Sequence, residues 1–128
     1  MLRIAVAAFA ALALLGVSAA SASPEASGSA SATKPKLVTV NDFYFGPSSV
    51  TIHKGGSVKW VWSSTNTYPH DVHLKSGPKR LEKRGTYSTK TTAVTDAEFK
   101  KAFPTPGSYH FICTIHPTEM KLTVVVKK

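Results

Sequence analysis

GSYHFICTIHPTEM, residues 107–120, is the most informative segment of this 128-residue chain. Its first half places aromatic side chains at alternate positions up to Cys113, which predicts a β-strand with one buried face. Its second half lacks that alternation and contains a proline, which favours a loop. The loop carries His116 and Met120, three and seven residues after Cys113, which is the only cysteine in the chain. A strand therefore leads directly into a loop that is rich in potential metal donors.

Short apolar segments separated by glycine and proline turns surround this strand. SVKWVWSS places Val58, Trp60 and Trp62 on one face, and these side chains are large enough to anchor a core. The same pattern predicts further strands in LVTVNDFYF, SVTIH, HDVHLK and MKLTVVV. Strands of this length and spacing predict an all-β fold, an antiparallel β-sandwich. The other residues expected to face inward are Val38, Val40, Val50, Ile52, Tyr109, Phe111, Cys113, Met120, Leu122, Val124 and Val126.

TDAEFKKAF, residues 95–103, departs from the strand pattern. Thr95 stands three residues before Glu98, which is the spacing of a capping box at the start of a helix. We therefore expect one short helical turn near residues 95–103 in an otherwise all-β domain.

The first 22 residues have the layout of an export signal. Arg3 is followed by an apolar run and then by small residues that suit a signal peptidase. The run is shorter than the roughly 20 residues that a transmembrane helix needs, so we expect no stable membrane insertion. Residues 23–36 are small and polar and predict a flexible linker, and residues 37–128 form one domain. The signal predicts a Sec-exported protein that is periplasmic, attached to the cell surface or secreted.

The chain is strongly basic, with a formal net charge of +9 at pH 7. Its lysines are spread along the sequence without the interleaved aromatic residues that bind single-stranded nucleic acid. We therefore predict a solvated basic surface and no nucleic-acid partner. Such a surface also suits an acidic protein partner or an anionic polymer of the cell envelope.

Cys113, His116 and Met120 together offer a thiolate, an imidazole and a thioether within eight residues. Zinc accepts cysteine and histidine, but it rarely binds methionine, and its structural sites usually contain more cysteines. Copper accepts all three donors. Two imidazoles and a thiolate in a plane, with a weak axial thioether, form the donor set of blue-copper electron-transfer sites. A second histidine must therefore come from elsewhere in the chain.

Strand alternation sorts the five histidines. His70 follows a proline at the start of a strand and is expected to face inward near the end of a sheet. His53, His73 and His110 alternate with inward-facing residues, so we expect all three to face solvent without binding a metal. His70 and His116 remain as the two imidazole donors.

NTYPHDV, residues 66–72, followed by the 107–120 segment, resembles the cupredoxins, the small type 1 blue copper proteins, and among them the plastocyanin and amicyanin group. The resemblance extends from about Val38 to Val126. It implies a Greek-key β-sandwich that transfers single electrons. It also implies one copper ion per chain and a surface for redox partners. The implied copper ligands are His70, Cys113, His116 and Met120, and the implied docking surface lies at the exposed edge of His116 and at Pro117.

Two features depart from the pattern of this family. Asp71 stands where many members have an asparagine that ties the strand of the first ligand to the residue after the cysteine, here Thr114. A carboxylate cannot donate that hydrogen bond unless it is protonated, which leaves the potential and rigidity of the site open. The interval between His116 and Met120 is also one residue longer than in amicyanin-like loops, and Leu122 replaces a common glycine.

These features predict an exported, monomeric electron carrier that is not an enzyme. An oxidase or nitrite reductase would need further copper centres and a His-x-His pattern, whereas this chain has HDVH. The alternative is a copper storage or delivery protein of the cell envelope. A methionine-rich carrier is disfavoured, because Met120 is the only methionine outside the signal. A purely structural sandwich would leave the four donors unexplained.

Overall fold

The structure, a computed structural model, describes residues 33–128. The predicted signal peptide and all but the end of the predicted linker lie outside these residues. Regular structure begins one residue before the expected domain start. The elements are β1 (Lys36–Asn41), β2 (Tyr44–Gly46), β3 (Ser49–His53), β4 (Ser57–Trp62), β5 (His73–Ser76), a 3-10 turn (Arg84–Tyr87), β6 (Glu98–Ala102), β7 (Gly107–Ile112) and β8 (Lys121–Lys127).

The eight strands form two four-stranded sheets that enclose one core, so the all-β sandwich prediction is confirmed. The strand order is β2-β1-β4-β6 in the first sheet and β3-β8-β7-β5 in the second. The chain changes sheet at every connection from β2 to β7. Within residues 33–128, no helix has the length and apolar character needed to cross a bilayer.

The two sheets are mixed, so the prediction of a purely antiparallel sandwich is wrong. β1 pairs with β4 in parallel, and β3 pairs with β8 in parallel. Parallel neighbours require a crossover connection, and here the chain passes through the opposite sheet before it returns. Alternation within a strand reports which residues are buried, but it carries no information about the direction of the neighbouring strand.

The alternation itself is confirmed. In β4, Val58, Trp60 and Trp62 are buried, and the intervening residues are partly exposed. All the other residues that were predicted to face inward are buried as well, including Cys113 at the end of β7 and Met120 just before β8. β-Branched and aromatic residues dominate these rows because they pack well on a pleated surface.

The helical turn expected near residues 95–103 is absent. Residues Glu98–Ala102 instead form β6, which pairs antiparallel with β4. Phe99 packs against Trp60, with ring centroids 5.2 Å apart. Asp96 has φ = 57°, and Thr95 donates its hydroxyl to the Asp96 carboxylate instead of capping a helix. Ladder hydrogen bonds and burial on Trp60 therefore outweigh a local capping signal that is worth about 1 kcal/mol.

The parallel pairing of β1 and β4 directs two connections to the same end of the sandwich. The turn after β1 and the segment after β4 leave side by side, and the Ser63 amide donates to the carbonyl of Val40. The buried Asn66 side chain donates to the carbonyls of Val40 and Val94, at 2.9 and 3.1 Å. Asn66 thereby fixes the start of the segment that carries His70.

Asn66→Ala should lower the free energy of unfolding by about 1–3 kcal/mol, because it removes one buried and one partly buried hydrogen bond and leaves the Val94 carbonyl without this donor. Chemical denaturation of the metal-free domain measures this loss. Ser64→Ala, at an exposed position two residues away, is the matched control and should change stability by less than about 0.5 kcal/mol. Equal effects of the two substitutions would contradict the role given to Asn66.

Candidate metal centre

Three of the predicted donor side chains meet at the end of the sandwich where β4 and β7 finish. The Cys113 sulfur lies 3.9 Å from Nδ1 of His70 and 3.9 Å from Nδ1 of His116. The three donor atoms all lie within 4.8 Å of one another. His70 and Cys113 are fully buried, and His116 is partly exposed. The structure therefore brings together residues that are up to 46 positions apart in the chain.

The spacing of these atoms fits a bound first-row metal ion. With metal–nitrogen bonds of about 2.0–2.1 Å and a metal–sulfur bond of about 2.3 Å, a planar three-coordinate arrangement puts sulfur about 3.8 Å from each nitrogen. The observed separations of 3.9 Å need almost no adjustment to reach that value. The site is therefore formed by the fold itself.

The segment from Cys113 to Met120 is closed by its own backbone. The Cys113 amide donates to the Met120 carbonyl at 3.2 Å, and the Met120 amide donates to the His116 carbonyl at 2.9 Å. Met120 is fully buried just before β8. The backbone of Met120, the fourth predicted ligand, is therefore hydrogen-bonded to the backbones of two other predicted ligands, Cys113 and His116.

His70 is held through its backbone by two neighbouring segments. It forms an isolated antiparallel bridge with Ala93, with hydrogen bonds of 2.9 and 3.0 Å. Its carbonyl also accepts a hydrogen bond from the indole Nε1 of Trp62, at 3.3 Å. Trp62, which was predicted only as a core residue, therefore also positions the first imidazole.

Asp42 is a neighbour of the site that the sequence did not indicate. One carboxylate oxygen lies 2.8 Å from Nε2 of His70, which is 28 positions later in the chain. Burial by itself would raise the pKa of Asp42, but hydrogen bonds from His70, Thr67 and Tyr68 outweigh it and hold that pKa well below its usual range. The carboxylate is therefore ionised at neutral pH. Asp42 lies in the turn between β1 and β2. No motif in the sequence of that turn indicates a contact with His70.

Asp71 does connect the strand of His70 to the residue after the cysteine. Its carboxylate accepts a hydrogen bond from the Thr114 amide at 2.7 Å and a second one from the Thr114 hydroxyl. Thr114 is the donor in both bonds, so the Asp71 carboxylate needs no proton of its own to make them. The strand of His70 is therefore connected to Thr114 by two hydrogen bonds, although residue 71 is an aspartate.

Two aromatic side chains border His116 on the outside. Phe43 lies edge-on to the imidazole, with centroids 5.1 Å apart, and Tyr68 does so at 6.2 Å. Phe43 and Tyr68 also contact each other and are 45% and 50% exposed. Phe43 has φ = 70°, which costs a bulky residue about 1–3 kcal/mol. The second residue of the β1–β2 turn is thus held in an unfavourable conformation beside the site.

The remaining histidines lie where alternation predicted. His53, His73 and His110 are exposed on the outer faces of their strands, away from the three converging donors. The expectation that these three side chains face solvent is confirmed.

The sequence of this chain matches a family of known proteins. The sequence model for copper-binding proteins of the plastocyanin/azurin family matches residues 34–127. Amicyanin-alpha from Methylorubrum extorquens is 38% identical over 131 aligned positions, which cover 96% of this chain and 93% of the relative.

Two solved structures show the same architecture. Amicyanin from Paracoccus versutus has a TM-score of 0.57 and 25% identity, and the match covers 74% of this chain and 83% of that one. The copper-containing nitrite reductase of Thermus scotoductus has a TM-score of 0.59 and 24% identity over 73% of this chain. That match covers only 22% of the reductase and shows the fold alone.

His70→Ala should weaken copper(II) binding by more than about 100-fold. Removing a residue that only hydrogen-bonds to a metal ligand typically lowers metal affinity by about 10–100-fold, and removing the ligand itself should lower it further. Competition with a chelator of known affinity measures the change. His73→Ala is the matched control and should leave copper affinity unchanged. If His73→Ala abolished binding and His70→Ala preserved it, the assignment of His70 as a copper donor would be wrong.

Proposed function

The chain belongs to the plastocyanin/azurin family of copper-binding proteins, and we propose that it carries single electrons on one copper ion. The proposed ligands are His70, Cys113, His116 and Met120. The observation that carries the proposal is the buried Cys113 sulfur, 3.9 Å from an imidazole nitrogen on each side. The proposed role is electron transfer between proteins, without catalysis of a reaction on a substrate.

The donor set favours copper over other metals. A thiolate and two imidazoles in one plane, with a methionine nearby, are typical of copper electron-transfer centres, whereas structural zinc sites are tetrahedral and seldom include methionine. When bound, copper supplies a one-electron couple between its +2 and +1 states. His70 and His116 would bind the ion through Nδ1, the atom that each turns towards the Cys113 sulfur, and Cys113 must release its thiol proton to solvent before it can act as a donor.

The protein keeps these donors fixed. Cys113 is held by the Met120 carbonyl, and the Thr114 amide beside it is held by Asp71. His70 is held by Ala93 and Trp62. Donors on such a framework keep their positions when the charge at the site changes, so little rearrangement opposes electron transfer.

His116 is the proposed exit for electrons. It is the one partly exposed member of the three converging donors. Phe43, Tyr68, Ile115 and Pro117 are exposed around it or next to it in the chain, and we call these four residues the docking patch. Its apolar surface suits brief contacts with a redox protein, and the basic charge of the chain favours an acidic partner. We propose that the chain acts as a monomer and is exported under the direction of residues 1–22.

Cys113→Ser tests the proposal directly. The wild-type domain should develop an intense visible absorption band with one equivalent of copper(II), from thiolate-to-copper charge transfer, and a mild reductant should bleach it. The variant should lack the band, yet it should unfold at nearly the same temperature as the wild type when both are metal-free. A wild-type domain that binds copper tightly without the band would instead favour storage or delivery.

Met120 is tested through the reduction potential. Met120→Gln introduces a harder oxygen donor and should lower the potential, whereas Met120→Leu removes the donor and should raise it. Shifts on the order of 100 mV are expected, where 59 mV is a tenfold change for a one-electron couple. Voltammetry of the copper-loaded domain measures both variants. Thr118→Ala, in the same loop, is the control and should leave the potential unchanged. Unchanged potentials in both Met120 variants would remove Met120 from the ligand set.

A further inference from the structure

The carboxylate of Asp42 contacts both His70 and the segment of chain just before it. His70 is fully buried, while the Asp42 side chain remains 23% exposed. One Asp42 oxygen contacts Nε2 of His70 at 2.8 Å and accepts from the Tyr68 amide at 3.2 Å. The other accepts from the Thr67 amide and hydroxyl, both at 2.9 Å. A single side chain thus contacts both the imidazole and the backbone that leads to it.

This contact determines which nitrogen of His70 is available to a metal. A carboxylate that is ionised accepts hydrogen bonds and cannot donate them. Nε2 of His70 must therefore carry the proton in this contact. In a neutral imidazole the proton on Nε2 leaves Nδ1 with a free lone pair, and Nδ1 is the atom that faces the Cys113 sulfur at 3.9 Å.

The charge of Asp42 has a second effect. An imidazole that donates its remaining N–H to a carboxylate becomes a more basic ligand. A more basic ligand and a nearby negative charge both favour the metal state with the higher positive charge. The oxidised state of the centre should therefore gain more from Asp42 than the reduced state does.

We propose that Asp42 is a positioning residue of the metal centre, which fixes the tautomer of His70 and lowers the reduction potential through its charge. The part about the potential rests on the proposed function. The part about the tautomer does not, because it concerns the metal-free protein. The two parts therefore call for separate measurements.

The tautomer is measured by nitrogen NMR of the metal-free wild-type domain at about pH 8.5, two units above the usual histidine pKa. The expected result is a proton on Nε2 of His70 and none on Nδ1. A proton on Nδ1 would overturn the proposal. This measurement needs neither a variant nor copper, so it still decides the question if the copper spectrum of the wild type defeats the proposed function.

The charge effect is measured by voltammetry of copper-loaded Asp42→Asn, which keeps an oxygen for His70 and removes the negative charge. We expect the ratio of copper(II) to copper(I) affinity to fall at least tenfold, which raises the potential by 59 mV or more. Thr67→Val is the matched control. It removes one hydrogen bond to Asp42 but leaves the carboxylate on His70, so its potential should stay at the wild-type value.

The control separates charge from loop distortion. In Asp42→Asn the amide nitrogen cannot accept from the Thr67 amide, so the loop is perturbed as well as the charge. A rise in potential for Asp42→Asn alone supports the proposal. An unchanged potential in Asp42→Asn, or an equal rise in Thr67→Val, would overturn the charge effect.

Discussion

A fully buried imidazole needs partners for both of its nitrogens, because a polar group without a hydrogen bond in the interior costs stability. His70 meets this constraint with Asp42 at Nε2 and the Cys113 sulfur near Nδ1. The two partners come from opposite sheets of the sandwich, since Asp42 follows β1 and Cys113 follows β7. The imidazole therefore contacts residues that follow strands of both sheets.

Strand alternation predicted the features that depend on one strand alone. It identified the inward rows, and it predicted that His70 faces inward and that His53, His73 and His110 face solvent. These predictions of burial hold because burial alternates along a strand whatever its neighbours are. The donor types in residues 113–120 indicated the metal chemistry for a similar reason, since they lie within one loop and need no knowledge of the fold.

The sequence could not predict what depends on the pairing of distant strands. The parallel alignment of β1 with β4 is such a feature, and it is what brings the turn at Asp42 beside the segment from Asn66 to His70. The error at residues 95–103 has the same origin. Thr95 and Glu98 carry a local helix signal, but the backbone partner and the Trp60 surface that make this segment a strand lie about 40 residues earlier.

The turn between β1 and β2 touches both imidazoles. Asp42 contacts the buried imidazole of His70, and Phe43, the next residue, contacts the partly exposed imidazole of His116. Yet the turn is separated by about 70 residues from the loop that supplies the thiol, the second imidazole and the thioether. The surroundings of the centre therefore do not come from residues 113–120 alone. A graft of residues 113–120 into another sandwich would transfer the thiol, one imidazole and the thioether. It would leave behind Asp42 and Phe43, the side chains that contact the two imidazoles. The metal site of the recipient would therefore have different properties.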